Sequence, residues 1–387
     1  MKIFIKHDQE YIKKLNKSMV LQILRKKGPI SRASIARLTS MSPTSISRIV
    51  LELSNIGLVN ETEPYSEGLG RKATLLSICP DSIVTIGVHL DRDIIRIGIV
   101  NFVGQIIVEQ EFQYDMLKHS VEEVSDKLAY IIINAIKELK INSTKIIGVG
   151  IGMPGIIDTK NGKVIFSVQL GWKNIDFVEL IKKRINMETI IDNEVKLKAL
   201  AESIYGVAKN SQKIALISIG SGVGSALVME GHVLRGKSNI AGEVGHTIVD
   251  PDGMLCECGR RGCLQTYIAE SALLAEANKV HKINNIGEIF ECAANGENWA
   301  ISILERAAMY IAILINNVAC MYSPDTIILS GPLIEQHPMM IKLVEEKRSL
   351  IWEPFKDTFN LVYSQLKKES VIIGAATLAL NTFLKLE

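Results

Sequence analysis

The sequence has almost no net charge: 44 Lys and Arg against 42 Asp and Glu over 387 residues give +2. That is too little for a chain that coats nucleic acid along its whole length. No apolar leader opens it, because Lys2, Lys6, His7 and Asp8 interrupt the first residues. A secretory signal is therefore not expected, and a cytoplasmic location is. An uninterrupted membrane span is also missing. The longest uncharged stretch, Ala307 to Pro324, carries Asn316-Asn317 at its middle and barely reaches the roughly 20 apolar residues a bilayer needs. A buried core helix is expected there, with no membrane partner. Six cysteines in so long a chain do not make a disulfide framework. What is present is ordinary core material, 47% apolar and 22% charged, enough for two or three domains.

The charge is unevenly placed. Residues 1–80 carry a balance of +7 and residues 81–387 a balance of −5, so a polyanion partner is expected for the head alone. In that head, Val20, Ile23 and Leu24 recur at helical spacing up to Gly28-Pro29. Ser31 is placed to cap a second helix that turns Ile35 and Leu38 inward. Ser42-Pro43 starts a third, with Ile46, Ile49, Val50 and Leu53 on one face and Gly57 at its end. Its other face holds Thr44, Ser45 and Arg48, with Ser42 and Ser47 beside them, and no bulky apolar group is expected to obstruct entry into a groove. Short hydroxyls allow close approach to phosphates and base edges, and arginine reads guanine bidentately. Leu58-Val59 and Leu75–Ile78 read as two strands, and the loop between them carries Gly70-Arg71-Lys72, a basic tip suited to a wing. A small packing module would share the helix pattern. The charge asymmetry, the Ser-Pro start and the basic tip favour a winged helix-turn-helix over residues 1–80 that binds double-stranded operator DNA.

The rest of the chain repeats a rhythm. Residues 83–107 read as three strands with turns at Asp91-Arg92-Asp93 and Asn101–Gly104, and residues 214–234 do the same with turns at Gly220-Ser221-Gly222 and Glu230-Gly231. Two related α/β lobes facing a cleft follow, over residues 81–195 and 196–387, with the last helices packing back on the first lobe. The cleft suits a small ligand. Gly220-Ser221-Gly222-Val223-Gly224 has the form of a phosphate cradle, a weak signal alone. At the equivalent turn of the first lobe stand Asp91 and Asp93, which would repel a triphosphate.

The strongest chemical signal is His246, then Cys256-Glu257-Cys258 and Cys263. One imidazole and three thiols at this spacing match a closed tetrahedral zinc site, and three thiolates leave no open position, so the metal is structural. Glu243 lies three residues before His246, and the two can face one cavity. Zinc on one imidazole nitrogen leaves the other to donate outward. Without the metal loop, Glu243 would read as a solvated carboxylate. Asn193 and Glu194 stand at a strand end where amides and carboxylates suit sugar hydroxyls. Capping of the following helix by Asp192 or Asn193 is the equal alternative.

These motifs together resemble the ROK family, named for repressor, open reading frame and kinase. The resemblance covers essentially the whole chain. It is carried by Ser31-Arg32-Ala33, Ser42–Arg48, Gly70-Arg71-Lys72, Gly152-Met153-Pro154-Gly155, Gly220–Gly224, Glu243-Val244-Gly245-His246 and Cys256–Cys263. It implies an N-terminal winged helix-turn-helix followed by a two-lobed, actin-like sugar-kinase fold. Members with such a head resemble sugar-responsive repressors of carbohydrate operons, xylose repressors among them, and are commonly dimers or tetramers. Departures bear on activity. Family kinases open with Asp-x-Gly-Gly-Thr where this chain has His89-Leu90-Asp91-Arg92-Asp93, and their catalytic aspartate is Glu194 here. Where the family has glutamate against the sugar, this chain has Gln265, and Gln169 replaces an asparagine before Leu170-Gly171-Trp172.

The expectation is a zinc-containing repressor without kinase activity. DNA is read through Ser31, Arg32, Ser42, Thr44, Ser45, Ser47, Arg48, Arg71 and Lys72, and a sugar is held by Asn193, Glu194, Glu243, His246 and Gln265. The metal ligands are His246, Cys256, Cys258 and Cys263. The alternatives are a bifunctional sugar kinase with a DNA-binding head and a repressor that senses a partner protein.

Overall fold

The computed structural model describes residues 9–62, 74–138 and 142–384. Arg71 and Lys72, expected on the wing tip, lie outside the described residues. The head opens with α1 (Gln9–Lys27), β1 (Ile30–Ser31), α2 (Arg32–Thr39) and α3 (Pro43–Asn55). Both cap signals operate: the Ser31 hydroxyl accepts from the Ser34 N–H and the Ser42 hydroxyl from the Ser45 N–H, each at 3.2 Å. These bonds satisfy donors that a helix start leaves open. Ile46, Ile49, Val50 and Leu53 are buried, and Gly57 ends α3 at φ +75°. Strands β2 (Val59–Glu61) and β3 (Leu75–Ile78) pair antiparallel, and β1 completes the sheet on the other side of β3.

Leu38 corrects the reading of α2. It was expected inward and is 50% exposed. The face that packs is set by Ile35 and Ala36 together, and a face centred between those two turns Leu38 about 110° away at 100° per residue.

The chain divides into two compact units, residues 1–192 with 372–387 and residues 193–371. The first contains β4 (Val84–Leu90), β5 (Ile94–Asn101), β6 (Ile106–Gln113), α4 (Val121–Glu138) and β7 (Ile146–Met153). After them come a small sheet of β8 (Ile156–Asp158), β9 (Lys163–Ser167) and β10 (Trp172–Ile175), then α5 (Phe177–Ile185) and β11 (Thr189–Asn193), whose last residue opens the second unit. The main sheet runs β11-β7-β4-β5-β6, with β4–β5–β6 an antiparallel meander and β4 parallel to β7. Every residue of β4 is buried, as expected of a central strand covered on both faces.

The second unit contains α6 (Glu194–Ile204), β12 (Lys213–Ile219), β13 (Val223–Met229), β14 (His232–Val233) and helices α7 (Gln265–Ile268), α8 (Glu270–Ala277), α9 (Ile286–Ala294) and α10 (Asn298–Tyr322). It continues with β15 (Thr326–Ser330), α11 (Pro332–Glu335), α12 (Pro338–Glu346) and β16 (Asn360–Tyr363). Its sheet runs β14-β13-β12-β15-β16, again a meander followed by parallel pairing. The two sheets have one plan, as the repeated turn rhythm of the sequence implies. Helix α10 is long and apolar enough to cross a membrane by composition, but its Ala300–Ala319 face is core to this unit.

The last helix, α13 (Ser370–Phe383), lies from Ile372 onward in the first unit. It presses on the main sheet where only glycine fits. A Cβ at Gly87 would sit 2.1 Å from the Ile372 carbonyl oxygen, and one at Gly150 would sit 1.9 Å from that of Ala375. The end of this helix also reaches the head. Leu380 and Leu384 share a core with Phe102, Ile147 and the inner faces of α1 to α3, and Arg25 Nη1 donates to Asn381 Oδ1 at 3.1 Å.

Candidate metal centre and nucleic-acid interface

His246 closes a short turn, Val244–His246, and the three cysteines follow on a tightly folded loop. The backbone clamps that loop: Val249 N–H donates to the Gly262 carbonyl, Cys256 N–H to that of Arg260 and Gly262 N–H to that of Met254, each at 2.8 Å. Gly262 stands at φ +68°, and a Cβ there would lie 1.4 Å from the Asp250 carbonyl oxygen, so no other residue fits. One ligand atom each from His246, Cys256, Cys258 and Cys263 falls within 4.8 Å of all the others. Cys256 Sγ is 3.7 Å from His246 Nδ1, and Cys258 Sγ is 3.6 Å from Cys263 Sγ. A tetrahedral ion with metal–sulfur bonds of about 2.3 Å needs sulfur atoms roughly 3.8 Å apart. The donor set and its spacing fit zinc. Burial pushes the Cys258 thiol up, but hydrogen bonds from the Arg260 backbone and guanidinium and from the other two thiols outweigh it and bring it down to about 6. Arg260 also donates to the His246 carbonyl at 3.2 Å, tying the ligand loop to the ligand turn.

The residues expected to bind sugar all lie in the second unit. Asn193 caps α6, its Oδ1 accepting from the Val195 N–H at 3.0 Å and the Lys196 N–H at 3.3 Å, and Glu194 is the first residue of that helix. Glu243 directly precedes the His246 turn, and the His246 N–H donates to its carbonyl at 3.1 Å. Although much of the Glu243 side chain is exposed, burial of the carboxyl raises its pKa, with Lys196 and His246 pulling it down less strongly. Because Nδ1 faces the thiols, Nε2 is the imidazole nitrogen left for a ligand. Gln265 stands beside the same cluster: its amide nitrogen donates to Cys256 Sγ at 3.4 Å.

Lys196 is a buried residue beside these candidates that the sequence did not reveal. It is 2% exposed, and its ammonium donates to the Asn239 carbonyl at 2.5 Å. It thereby holds the loop that leads to Gly242 and Glu243. In the string Glu-Val-Lys-Leu-Lys a lysine reads as solvated surface, and no local signal marks it as buried.

In the head, Thr44, Ser47 and Arg48 are exposed on α3, whereas Ser31 and Ser42 spend their hydroxyls on caps and Ser45 Oγ lies 2.9 Å from Ser42 Oγ. Arg32 is ion-paired with Glu61 on β2. Leu51 corrects the expectation that this face has no bulky apolar group, since it is 60% exposed one turn beyond Ser47. The run Ile-Val-Leu-Glu-Leu offers more apolar residues than one core face can take, and Leu51 is the one left outside.

Comparisons with known proteins agree with both halves. A model described as the ROK family matches residues 85–382, and one described as winged helix-turn-helix DNA-binding matches residues 14–60. The xylose repressor of Bacillus spizizenii is 30% identical over 378 residues, covering 97% of this chain and 98% of that one. The crystal structure of a ROK family transcriptional regulator, a homologue of the Escherichia coli MLC protein, is similar with a TM-score of 0.82 at 25% identity, covering 97% of this chain and 98% of that one. A ROK hexokinase from Thermus thermophilus shares the fold at 23% identity and a TM-score of 0.67, covering 78% of this chain and 100% of that one.

Proposed function

Because the chain belongs to the ROK family, we propose that it is a sugar-responsive transcriptional repressor of a carbohydrate-utilisation operon. The observation that carries the reading is the pairing on one chain of a capped recognition helix, exposed at Thr44, Ser47 and Arg48, with a ROK body. The head binds double-stranded operator DNA. Arg48 reads a base edge and Arg71 and Lys72 contact phosphates, while Ser31 and Ser42 orient the helices that do the reading. Two or four copies act together, so that paired heads meet a two-fold operator, and the protein works in the cytoplasm.

Asn193, Glu194, Glu243 and His246 supply the amide, carboxylates and imidazole that hold sugar hydroxyls. Zinc, held by His246 Nδ1 and the three thiolates, would fix the imidazole and leave Nε2 for the sugar, and Gln265, hydrogen-bonded to Cys256, would add its amide. The sugar shifts the equilibrium between a form that grips DNA and one that does not, by as much as it prefers the second. The name of the Bacillus relative makes xylose the first sugar to test.

Phosphoryl transfer is not part of this reading. Asp91 turns its own carboxylate on the Arg92 N–H at 2.7 Å, filling the turn where a phosphate would need free donors. Glu194 carries its carboxylate one methylene beyond the reach of an aspartate, which spoils the geometry of a general base. Gel shifts with full-length protein, a sugar panel, and ATP with magnesium present or absent test the whole. Release by one sugar alone is the expected result. Release that needs ATP, or ADP formed with sugar, would instead indicate a kinase.

A further inference from the structure

We propose that Leu51 is a base-reading residue whose side chain meets the 5-methyl group of a thymine in the major groove of the operator. The inference rests on the DNA-binding reading above and adds a contact of a different chemical kind. At 100° per residue, Ser47, Arg48, Leu51 and Asn55 all fall within about 60° of Thr44 around α3. Each of these five is exposed. Ile46, Ile49, Val50 and Leu53 centre on the opposite side and are buried in the head. Leu51 therefore belongs to the reading stripe and contributes nothing to the core, with 60% of its surface exposed.

Its neighbours fit a groove floor. Thr44 and Ser47 are short and leave the leucine standing above them, and from Thr44 to Leu51 the helix rises about 10.5 Å, roughly three base-pair steps. Glu52, next in sequence, would repel phosphates if it faced the same way. Instead its carboxylate is held by Lys13 at 2.9 Å and by Lys17, both on α1, and their hydrogen bonds bring it down to about 2. The stripe thus presents hydroxyls, one guanidinium, one amide and one apolar group, with no negative charge. Among the base edges in the major groove, only thymine presents an apolar group, its 5-methyl.

The experiment begins by selecting operators from random duplexes with sugar-free, full-length protein. Each thymine of the selected site is then replaced by deoxyuridine, which removes the methyl group and leaves pairing intact. One thymine per half-site should be methyl-dependent, and its replacement should weaken wild-type binding about fourfold, the value of one buried methyl. Leu51→Ala should bind the thymine and uracil operators equally, with an unchanged slope of affinity against salt, because no phosphate contact is lost. The substitution is on an exposed face, and the uracil series on wild-type protein needs no variant at all. If no thymine is methyl-dependent, or if Leu51→Ala keeps the full dependence, the inference is overturned. Failure of the wild type to select any sequence would overturn the DNA-binding reading itself, a distinguishable outcome.

Discussion

Replacing Lys196 by methionine removes one ammonium and keeps a side chain of similar length in a buried slot. The Asn239 carbonyl loses a charged donor at 2.5 Å, an interaction worth about 1.5–3 kcal/mol. Methionine returns part of that loss because the variant no longer buries a cation. A net destabilisation of roughly 2 kcal/mol follows for the second unit, residues 193–371. For a body of that size each kcal/mol moves Tm by roughly 2–4 °C, so scanning calorimetry should show a fall of about 4–8 °C. The loop held by Lys196 leads into Glu243, so calorimetric titration with the effector sugar should show weaker affinity, about tenfold when 1.4 kcal/mol of the lost interaction belongs to the bound state alone. Lys196→Arg keeps a cation and should recover part of both losses, while operator binding without sugar should not change. An unaltered Tm together with unaltered sugar binding would refute the claim that this ammonium organises the site.

Four further outcomes are expected. Glu243→Gln should leave DNA affinity intact and abolish release by sugar in gel shifts. The same variant should be the more stable at pH 8, because a raised folded pKa makes the ionised carboxylate costly above it; that gain should fade as the pH falls through the folded pKa in pH-dependent melts. Purified protein should contain about one zinc per chain by elemental analysis, and Cys258→Ser should lower both zinc content and sugar response. Replacing Arg48 should relax base preference in competition binding, whereas replacing Arg71 and Lys72 together should weaken all sequences and flatten the salt dependence.

Much of this molecule is written locally. Ser31, Ser42 and Pro43 mark helix starts by chemistry confined to three or four residues, and the structure puts the two serine hydroxyls where that chemistry requires. The doubled meander is legible for the same reason, since turns and alternation are short-range signals. The cluster of His246 with three cysteines is legible because ligand type and spacing mark it. What escaped depends on how surfaces compete for the core. Leu38 and Leu51 are apolar residues left outside because Ile35 with Ala36, and Ile46 with its partners, already fill the space. Lys196 is buried because a loop some forty residues later closes over it.

The shared core of head and first sheet has a consequence for the spacing of binding sites. Only residues 79–83 separate β3 from β4, and Pro80 in that link accepts from the Phe102 N–H at 2.9 Å. Together with Leu380, Phe102 and the Arg25–Asn381 contact, this leaves no tether between reader and body. A head on a flexible string can follow half-sites moved closer together or further apart. A head welded to its sheet cannot, so the distance and helical phase between half-sites become a property of the body. Inserting half a turn of DNA at the centre of an operator should then be as damaging as altering its bases, and a head transplanted without Phe102, Ile147 and Leu380 would lose its aim before it lost its fold.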